Sequence, residues 1–413
     1  MRTVRARIAS LSRHPVFLRL LDQGSWSAAF FLFTITASAS LDTRDFAALT
    51  VVTSIGVIAA ACARSFSIDS RVVAGARAGL AIDEATSSGA VALTSGAFAA
   101  VATAASAIWI ALGSTGVSML PVALAGLIVL ADGPHYLLTL QRRFAAAIIG
   151  ALPYALCSAI AILSTLSRPW VPVLSVWAAG LVVACAASWL AVVRRRRRAS
   201  VIPGLLGTAT RISAEALYSA LGSQLGILII YLIAVPSATT GIRLAYSVVF
   251  APVFSLIQAL TPLLLVHMSE LGRGPASASG RSRAAARWVV AGLSGVVVSG
   301  VVGWAVAVTG LGGPNYAHTA AFLLPVGAAL AGNLVLDTAL LVIRFGARPS
   351  VPHRIRLIVV SIDLAAQLVL TLSFGLDGLV AALVGMAVLK AIAAGIAIRA
   401  STATTPEQER IAE

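Results

Sequence analysis

The segment "LADGPHYLLTLQRR", residues 130–143, places chemically active side chains inside a run that is otherwise apolar. Asp132 can bind a proton or accept hydrogen bonds. His135 and Tyr136 follow it at spacings of three and four residues, which predicts one shared helix face. Pro134 removes a backbone donor, so a helix should kink here. Two interpretations stay open: a bent helix whose polar side chains satisfy its own defect, or a hydrated spot where a charged His135 contacts an anionic ligand.

Further carboxylates fall within apolar runs, where an ionisable group costs on the order of 2.5–3.5 kcal/mol to insert. Asp337 and Asp363 each share a helix face with a polar neighbour four residues away. Together with Asp132 they are candidates for coupling to protons or cations, because a desolvated carboxylate can load and release a proton. The alternative is that they serve as hydrogen-bond partners between helices.

Two acids and one lysine complete the ionisable residues of the apolar runs. Asp22 and Glu215 stand near the start of two such runs. Either they are solvated beside the positive end of a helix, or they line a cavity that a substrate enters. Lys390 lies in "VLKAI" and is expected to extend toward the cytoplasmic headgroups.

The elements that must position these side chains are transmembrane helices. The chain has 413 residues, 59% hydrophobic and 11% charged, with a mean hydropathy of +0.95, which is not the composition of a soluble domain. Apolar runs of about 20 residues, enough to cross a hydrocarbon core, recur from end to end. They predict an all-α polytopic membrane protein with twelve spans, near 17–39, 47–63, 87–112, 118–139, 144–166, 172–193, 213–235, 243–268, 286–309, 317–342, 355–374 and 378–398.

Basic residues are distributed unequally between the gaps that separate these spans. Of the 30 basic residues, 26 lie in the alternate gaps that include the amino terminus, three lie in the opposite gaps, and Lys390 lies within a span. Lys and Arg accumulate on cytoplasmic loops, so both termini are expected in the cytoplasm, in a bacterial plasma membrane. Topology and anionic headgroups explain the net charge of +15, and nucleic acid is not expected as a partner.

An arginine run at 194–198 divides the predicted spans into two sets of six. It predicts an N-terminal lobe, residues 1–199, and a C-terminal lobe, residues 200–413. Asp22 and Glu215 occupy similar places in the first and seventh spans, each followed by a short polar gap and a second span. Two lobes with the same sense around a central cavity are typical of carriers. One chain is enough to enclose such a cavity, so a monomer is expected to suffice.

Motifs of ATP-driven pumps and of enzymes are absent from the sequence. There is no GxxxxGK[ST] loop, no HExxH, no GxSxG and no pair of histidines at metal-ligand spacing. No enzymatic activity, cofactor or metal is therefore expected. Asp42 and Asp45 in the first external gap leave a membrane glycosyltransferase as an alternative. The external gaps are too short to hold an acceptor substrate, so both acids are interpreted as solvated loop charges.

Three stretches carry a family resemblance: "DGPHYLLTLQRRFAAAIIGAL", "LLDQGSWSAAFFLFTITASASLDTRDFAALTVV" and "FGLDGLVAALVGMAVLKAI". They resemble polysaccharide-export flippases of the Wzx type, in the multidrug/oligosaccharidyl-lipid/polysaccharide (MOP) superfamily. The family pattern of an acid, a basic residue, an aromatic and a basic turn corresponds to Asp132, His135, Tyr136 and the turn at 142–143.

The sequence departs from that pattern at one position. His135 stands where an arginine is expected, and few basic residues lie deep in any span. The resemblance therefore implies that an anionic headgroup is met nearer the cytoplasmic mouth, by Arg64 or Arg142, with His135 and Tyr136 as further contacts.

The resemblance implies a flippase that moves a lipid-linked oligosaccharide, or a related anionic glycolipid, from the inner to the outer leaflet by alternating access. Its expected partners are membrane lipids, a polyprenyl-diphosphate-linked glycan as substrate, and polysaccharide-assembly enzymes. Two alternatives remain. One is a cation-coupled multidrug-type exporter of the same superfamily, and the other is a membrane subunit of a polysaccharide-assembly complex that transports nothing.

Overall fold

The chain is helical throughout the part that the computed structural model describes, in agreement with the predicted fold class. The helices form two compact units, Met1–Leu232 and Ile233–Glu413. The lobe boundary predicted at residue 199 lies outside the described residues and stays a prediction. The described residues are 15–77, 80, 82–113, 120–167, 173–194, 201–233, 236–253, 257, 275–309, 316, 318–344 and 350–403.

The described residues of the first unit form nine α-helices. A π-helical turn, Ser65–Asp69, connects the second helix directly to the third, so the two form one continuous helix. The helices are α1 Pro15–Ser40, α2 Thr43–Arg64, α3 Ser70–Arg77, α4 Ile82–Ala85, α5 Ser88–Gly113, α6 Leu120–Leu140, α7 Phe144–Ser167, α8 Val173–Val193 and α9 Leu205–Ile233.

In the second unit, the residues that the structure describes form four α-helices and a second π-helical turn, Ala245–Phe250. Its helices are α10 Pro236–Leu244, α11 Pro275–Thr309, α12 Ala320–Arg344 and α13 Ser350–Ala403. The eighth predicted span continues beyond residue 253 into a part of the chain that lies mostly outside the described residues.

Among the described residues, nine helices are long and apolar enough to cross a membrane, so the chain is a multi-pass membrane protein. The helix bounds agree closely with the predicted spans in most places. Sequence reasoning placed the ends well because each span is an apolar run closed by arginine, glycine or a short polar segment.

Helix α13 contains the last two predicted spans, and the chain reverses between them. Gly375 has φ 60° and ψ −133°, a conformation outside the helical region that glycine adopts without a steric cost. Asp363 and Lys390 form an ion pair. In one straight helix these residues would lie about 40 Å apart, at 1.5 Å per residue. The two parts of α13 therefore form a hairpin, as the sequence predicts.

Small residues let the helices of the first unit approach closely. A Cβ atom placed on Gly133 of α6 would lie 2.5 Å from the Ser95 hydroxyl of α5, and one on Gly150 of α7 would lie 2.5 Å from the Ser188 hydroxyl of α8. Helices in lipid gain no hydrophobic driving force from associating, so close packing of this kind stabilises the bundle.

Pro134 leaves the carbonyl oxygen of Leu130 without its helical donor, because proline has no backbone N–H. The Trp189 indole N–H donates to that oxygen over 3.2 Å, and the Cys185 thiol lies 3.5 Å from it. Helix α8 thus supplies the hydrogen-bond donor that the Leu130 carbonyl lacks within α6. The interpretation in which the polar side chains of α6 itself satisfy the defect is therefore wrong, because the donors to Leu130 belong to α8.

Candidate functional site

Helix α6 carries two rows of polar side chains near its C-terminal end, and each row meets a different helix. Asp132 and Tyr136 are four residues apart and face the end of α2 and the first π-helical turn. His135 and Thr139, also four apart, face α1. The prediction that Asp132, His135 and Tyr136 act on one shared face is therefore wrong. Successive residues differ by about 100° around a helix, which separates 135 from 136.

His135 and Thr139 belong to a group that we call the Asp22 cluster: Arg19, Asp22, His135 and Thr139. The carboxylate of Asp22 is fully buried. One of its oxygens lies 2.7 Å from His135 Nε2, and the other accepts from Arg19 Nη1 at 2.8 Å and from the Thr139 hydroxyl at 3.2 Å. Burying a carboxylate is tolerated when charged and neutral donors satisfy it in this way. Asp22 is thus neither solvated nor a simple helix-end charge.

An aromatic row lies beside the Asp22 cluster. The His135 ring stacks on Trp26, with centroids 4.3 Å apart and planes 9° apart. Trp26 in turn contacts Tyr154, whose hydroxyl accepts the Trp177 indole N–H over 2.9 Å. Stacking and hydrogen bonding together fix the orientation of the imidazole.

Asp132 and Tyr136 belong to the Arg64 cluster: Arg64, Asp69, Asp132 and Tyr136. Arg64 Nη1 lies 3.5 Å from Asp132, and its guanidinium carbon lies 4.7 Å from the centre of the Tyr136 ring. The Tyr136 hydroxyl donates to Asp69 over 3.1 Å, and the Ser65 hydroxyl donates to the other Asp69 oxygen over 3.0 Å. The π-helical turn brings Asp69 to this place. Such turns insert one residue into a helix and re-aim the side chains that follow.

The charged side chains of the two clusters differ in their solvent exposure and in how fully they are hydrogen-bonded. The Arg64 side chain is 33% exposed and that of Asp132 is 21% exposed, whereas those of Asp22 and Arg19 are 0% and 8% exposed. Asp132 also has a buried oxygen without a hydrogen-bond partner. A pair at 3.5 Å with partial access to solvent contributes little to stability.

Charges of both signs meet at this end of the first unit. Two guanidinium groups face three carboxylates, so the combined clusters carry a net charge of −1 when His135 is neutral and 0 when it is protonated. Chemically, the arrangement can exchange ion-pair partners and can bind a proton. It presents no concentrated positive charge.

Two other predicted residues of the first unit stand apart from these clusters. Arg142 is exposed in the turn after α6, with φ 56°. Its neighbour Arg143 instead contacts the protein, donating to the Ala191 carbonyl over 2.9 Å. Glu215 is partly buried on α9.

The predicted carboxylates of the second unit are paired with bases. Asp363 is buried, and it accepts from Lys390 Nζ and, over 2.8 Å, from the Gln367 amide. Lys390 is 3% exposed, so the expectation that it extends to the headgroups was wrong. Asp337 is exposed and forms an ion pair with Arg356.

Arg19, Asp69 and Thr139 are members of the clusters that sequence reasoning missed. Arg19 was counted only among the basic residues of the amino-terminal segment, and Asp69 was not considered, yet Arg19 precedes Asp22 by three residues and Thr139 follows His135 by four. Those helical spacings were available signals. No pattern in the sequence predicts the π-helical turn that places Asp69 beside Tyr136. Asp42 and Asp45, assigned to loop charges, lie at the start of α2, where Asp42 accepts from the Asp45 N–H over 2.7 Å and caps the helix.

Comparison with solved structures assigns the fold. The chain is similar to an outward-facing conformation of a multidrug resistance MATE family transporter of the MOP superfamily, with TM-score 0.62, 14% identity, and coverage of 96% of this chain and 98% of that one. An inward-facing conformation of a transporter with the same description gives 0.61 and 13%, covering 94% and 99%. A MOP superfamily transporter from Pyrococcus furiosus, described as having a binding pocket of reversed polarity that suggests a different function, gives 0.58 and 13%, covering 95% and 96%.

The likeness is one of fold, since identity is low throughout. No protein-family model matches the sequence, and the comparison with curated proteins gives no match. The chain therefore has the fold of MATE transporters of the MOP superfamily, and the Wzx-type resemblance remains an inference from sequence.

Proposed function

We propose that the chain is a membrane transporter that carries an amphipathic substrate across the bilayer by alternating access. The support is the fold, which solved transporters share over 94–96% of the chain in both inward-facing and outward-facing conformations. A single fold recorded in both conformations is what alternating access requires. All these neighbours are transporters, and the sequence lacks enzymatic motifs, so no bond is broken in the proposed cycle.

We infer that the substrate is a lipid-linked oligosaccharide or a related anionic glycolipid, moved from the inner to the outer leaflet. The observation that carries this inference is the ion pair between Arg64 and Asp132, which is long and partly exposed. Charge-assisted hydrogen bonds to a diphosphate are stronger than a pair held at 3.5 Å. The Wzx-type resemblance of the stretch that contains Asp132 supports the same class of substrate.

Exchange of partners at Arg64 gives the proposed mechanism. The headgroup binds Arg64 and displaces Asp132, whose carboxylate then lacks its counter-charge and takes up a proton. Release of the headgroup on the other side lets Asp132 lose that proton and return to Arg64. Tyr136 holds the guanidinium in place during the exchange, through its ring and through the hydroxyl bound to Asp69.

The test is a leaflet-resolved measurement of lipid-linked sugar intermediates in cells that lack the protein, made with a membrane-impermeant probe. We expect the intermediates to accumulate in the inner leaflet. The wild-type chain should reverse this, and Arg64→Lys should do so in part. Arg64→Ala should fail. Arg44→Ala serves as the matched control, because Arg44 is an exposed arginine at the opposite end of the same helix. An unchanged lipid pool in both leaflets would exclude a flippase.

One observation favours a second substrate class, organic cations. The combined clusters carry a net charge of −1 with His135 neutral, and two of the structural neighbours are described as multidrug resistance transporters. A cation exporter predicts that deleting the protein sensitises cells to lipophilic cations and that Asp132→Asn abolishes efflux of ethidium. If the lipid pool is unchanged and efflux depends on Asp132, the exporter is the correct assignment.

A further inference from the structure

A cavity of about 270 Å³ opens in the first unit between the π-helical turn with α3, the start of α5 and the start of α9. Its wall is mostly apolar and includes Phe66, Ala90, Leu206 and Ala209. Arg71 supplies the charge in the lining. None of these residues belongs to the Asp22 cluster or the Arg64 cluster.

The helices that line this cavity carry exposed apolar side chains. Leu206 in the lining is 70% exposed, and Val73 and Leu93, adjacent in sequence to lining segments, are exposed too. On a helix of a membrane protein, such side chains face lipid tails rather than water. The cavity is thus accessible to a molecule dissolved in the bilayer.

Among the residues that the structure describes, Arg71 forms no ion pair. Its hydrogen bond with a described residue goes to the Ala85 carbonyl oxygen over 3.4 Å. A carbonyl carries only a partial negative charge, so it leaves most of the positive charge of a half-buried guanidinium uncompensated. A phosphate oxygen in the cavity would compensate that charge with a charge-assisted hydrogen bond.

We propose that this cavity binds an anionic phospholipid of the surrounding bilayer, with the phosphate on Arg71 and the upper part of one acyl chain against Phe66, Leu206 and Ala209. The volume fits part of a chain rather than a whole drug-sized ligand, for which pockets span about 300–1,000 Å³. Basic pockets between transmembrane helices bind anionic headgroups in this way. The bound lipid bridges α3, α5 and α9 and is distinct from the transported substrate.

The test is lipid retention by the purified full-length protein in detergent, measured by native mass spectrometry. The probes are phosphatidylglycerol, phosphatidylcholine with the same acyl chains, and glycerol phosphate without chains. We expect phosphatidylglycerol to be retained about tenfold more than phosphatidylcholine, since about 1.4 kcal/mol corresponds to a factor of ten. Glycerol phosphate should be retained far less, because the apolar wall contributes nothing to its binding.

Variants separate the two parts of the site. Arg71→Ala should lower phosphatidylglycerol retention to the level of phosphatidylcholine, and Arg71→Lys should restore most of it. Ala90→Leu, which fills the cavity, should lower retention of both lipids. Arg211→Ala is the matched control: it removes the same charge from an exposed position on α9 and should leave retention unchanged.

Two results would overturn the proposal. One is equal phosphatidylglycerol retention by Arg71→Ala, Arg211→Ala and the wild-type chain, each eluting as a folded monodisperse species. The other is tight binding of glycerol phosphate alone, which would indicate an anion site without a lipid tail. Neither result depends on transport, so failure here and failure of the proposed function are distinguishable.

Discussion

The buried charges of the two units are arranged in different ways. In the first unit, Asp22 is bound by Arg19 within its own helix and by His135 and Thr139 of α6, so one carboxylate ties two helices together. In the second unit, Asp363 is bound by Gln367 and Lys390, which belong to the same hairpin. The second arrangement is an ion pair within one hairpin. The first links α1 to α6, two helices that are far apart in sequence.

That difference predicts different consequences when a charge is removed. The ion pair of the hairpin holds two antiparallel helices that a tight turn already joins, so apolar contacts can replace it. A link between separate helices also sets their spacing, and its partners are charged groups that can be exchanged. We therefore expect removal of one partner of the Asp363 pair to affect stability alone, and transport to depend most on the Asp22 and Arg64 clusters.

The largest effect on stability is expected for Asp363→Ala. This variant leaves Lys390 buried without a counter-charge, which costs about 3–5 kcal/mol and should lower the unfolding temperature in detergent markedly. The double variant Asp363→Leu with Lys390→Met replaces the pair by apolar side chains of similar size, and we expect it to regain most of the loss and to transport normally. A double variant that folds well but does not transport would show that the pair serves coupling.

A smaller effect on stability is expected for Asp22→Asn, about 1–3 kcal/mol, because the amide keeps part of the hydrogen bonding but no longer neutralises Arg19. Hydrogen exchange in α1 should report the loss more specifically than the overall stability does. Amide hydrogen exchange in the first turns of α1 should accelerate, while exchange in the α13 hairpin should not change. If exchange in α1 stays at the wild-type rate, the Asp22 cluster does not fix this helix to α6, and the contrast between the units fails.

The smallest effect is expected for Asp337→Asn. Asp337 is 52% exposed in its pair with Arg356, and exposed pairs contribute about 0–1 kcal/mol. The unfolding temperature should therefore change by no more than a few degrees, and transport should be retained. Loss of transport with unchanged stability would restore Asp337 as a coupling residue, the role suggested for it from sequence.

Sequence reasoning found many of the residues that matter but not their connections. Asp22, Asp132, His135 and Tyr136 were singled out because polar groups in apolar runs are conspicuous, and Arg64 was singled out through the family resemblance. Helical spacing alone then placed Asp132, His135 and Tyr136 on one face. In the structure, His135 contacts α1, whereas Asp132 and Tyr136 contact α2 and the first π-helical turn. The periodicity of one helix contains no information about which helices pack against it.

The repair of the Pro134 defect could not be predicted for the same reason. Proline in the sequence specifies which carbonyl loses its donor, and that carbonyl belongs to Leu130. The donor, Trp189, lies 59 residues away in sequence. Only the packing of α8 against α6 decides that an indole, rather than a water molecule or a local hydroxyl, supplies the hydrogen bond.

Composition and periodicity by themselves determined that this is an all-helical membrane protein, and where most of its helices begin and end. These properties follow from the free energy of placing apolar residues and backbone groups in lipid, which depends on the local segment alone. The tertiary structure decided which charges meet. It paired Lys390 with Asp363, brought Asp69 beside Tyr136 through a π-helical turn, and left Arg142 exposed. Ion pairs form only within a few ångströms, and such distances between separate helices are set by packing.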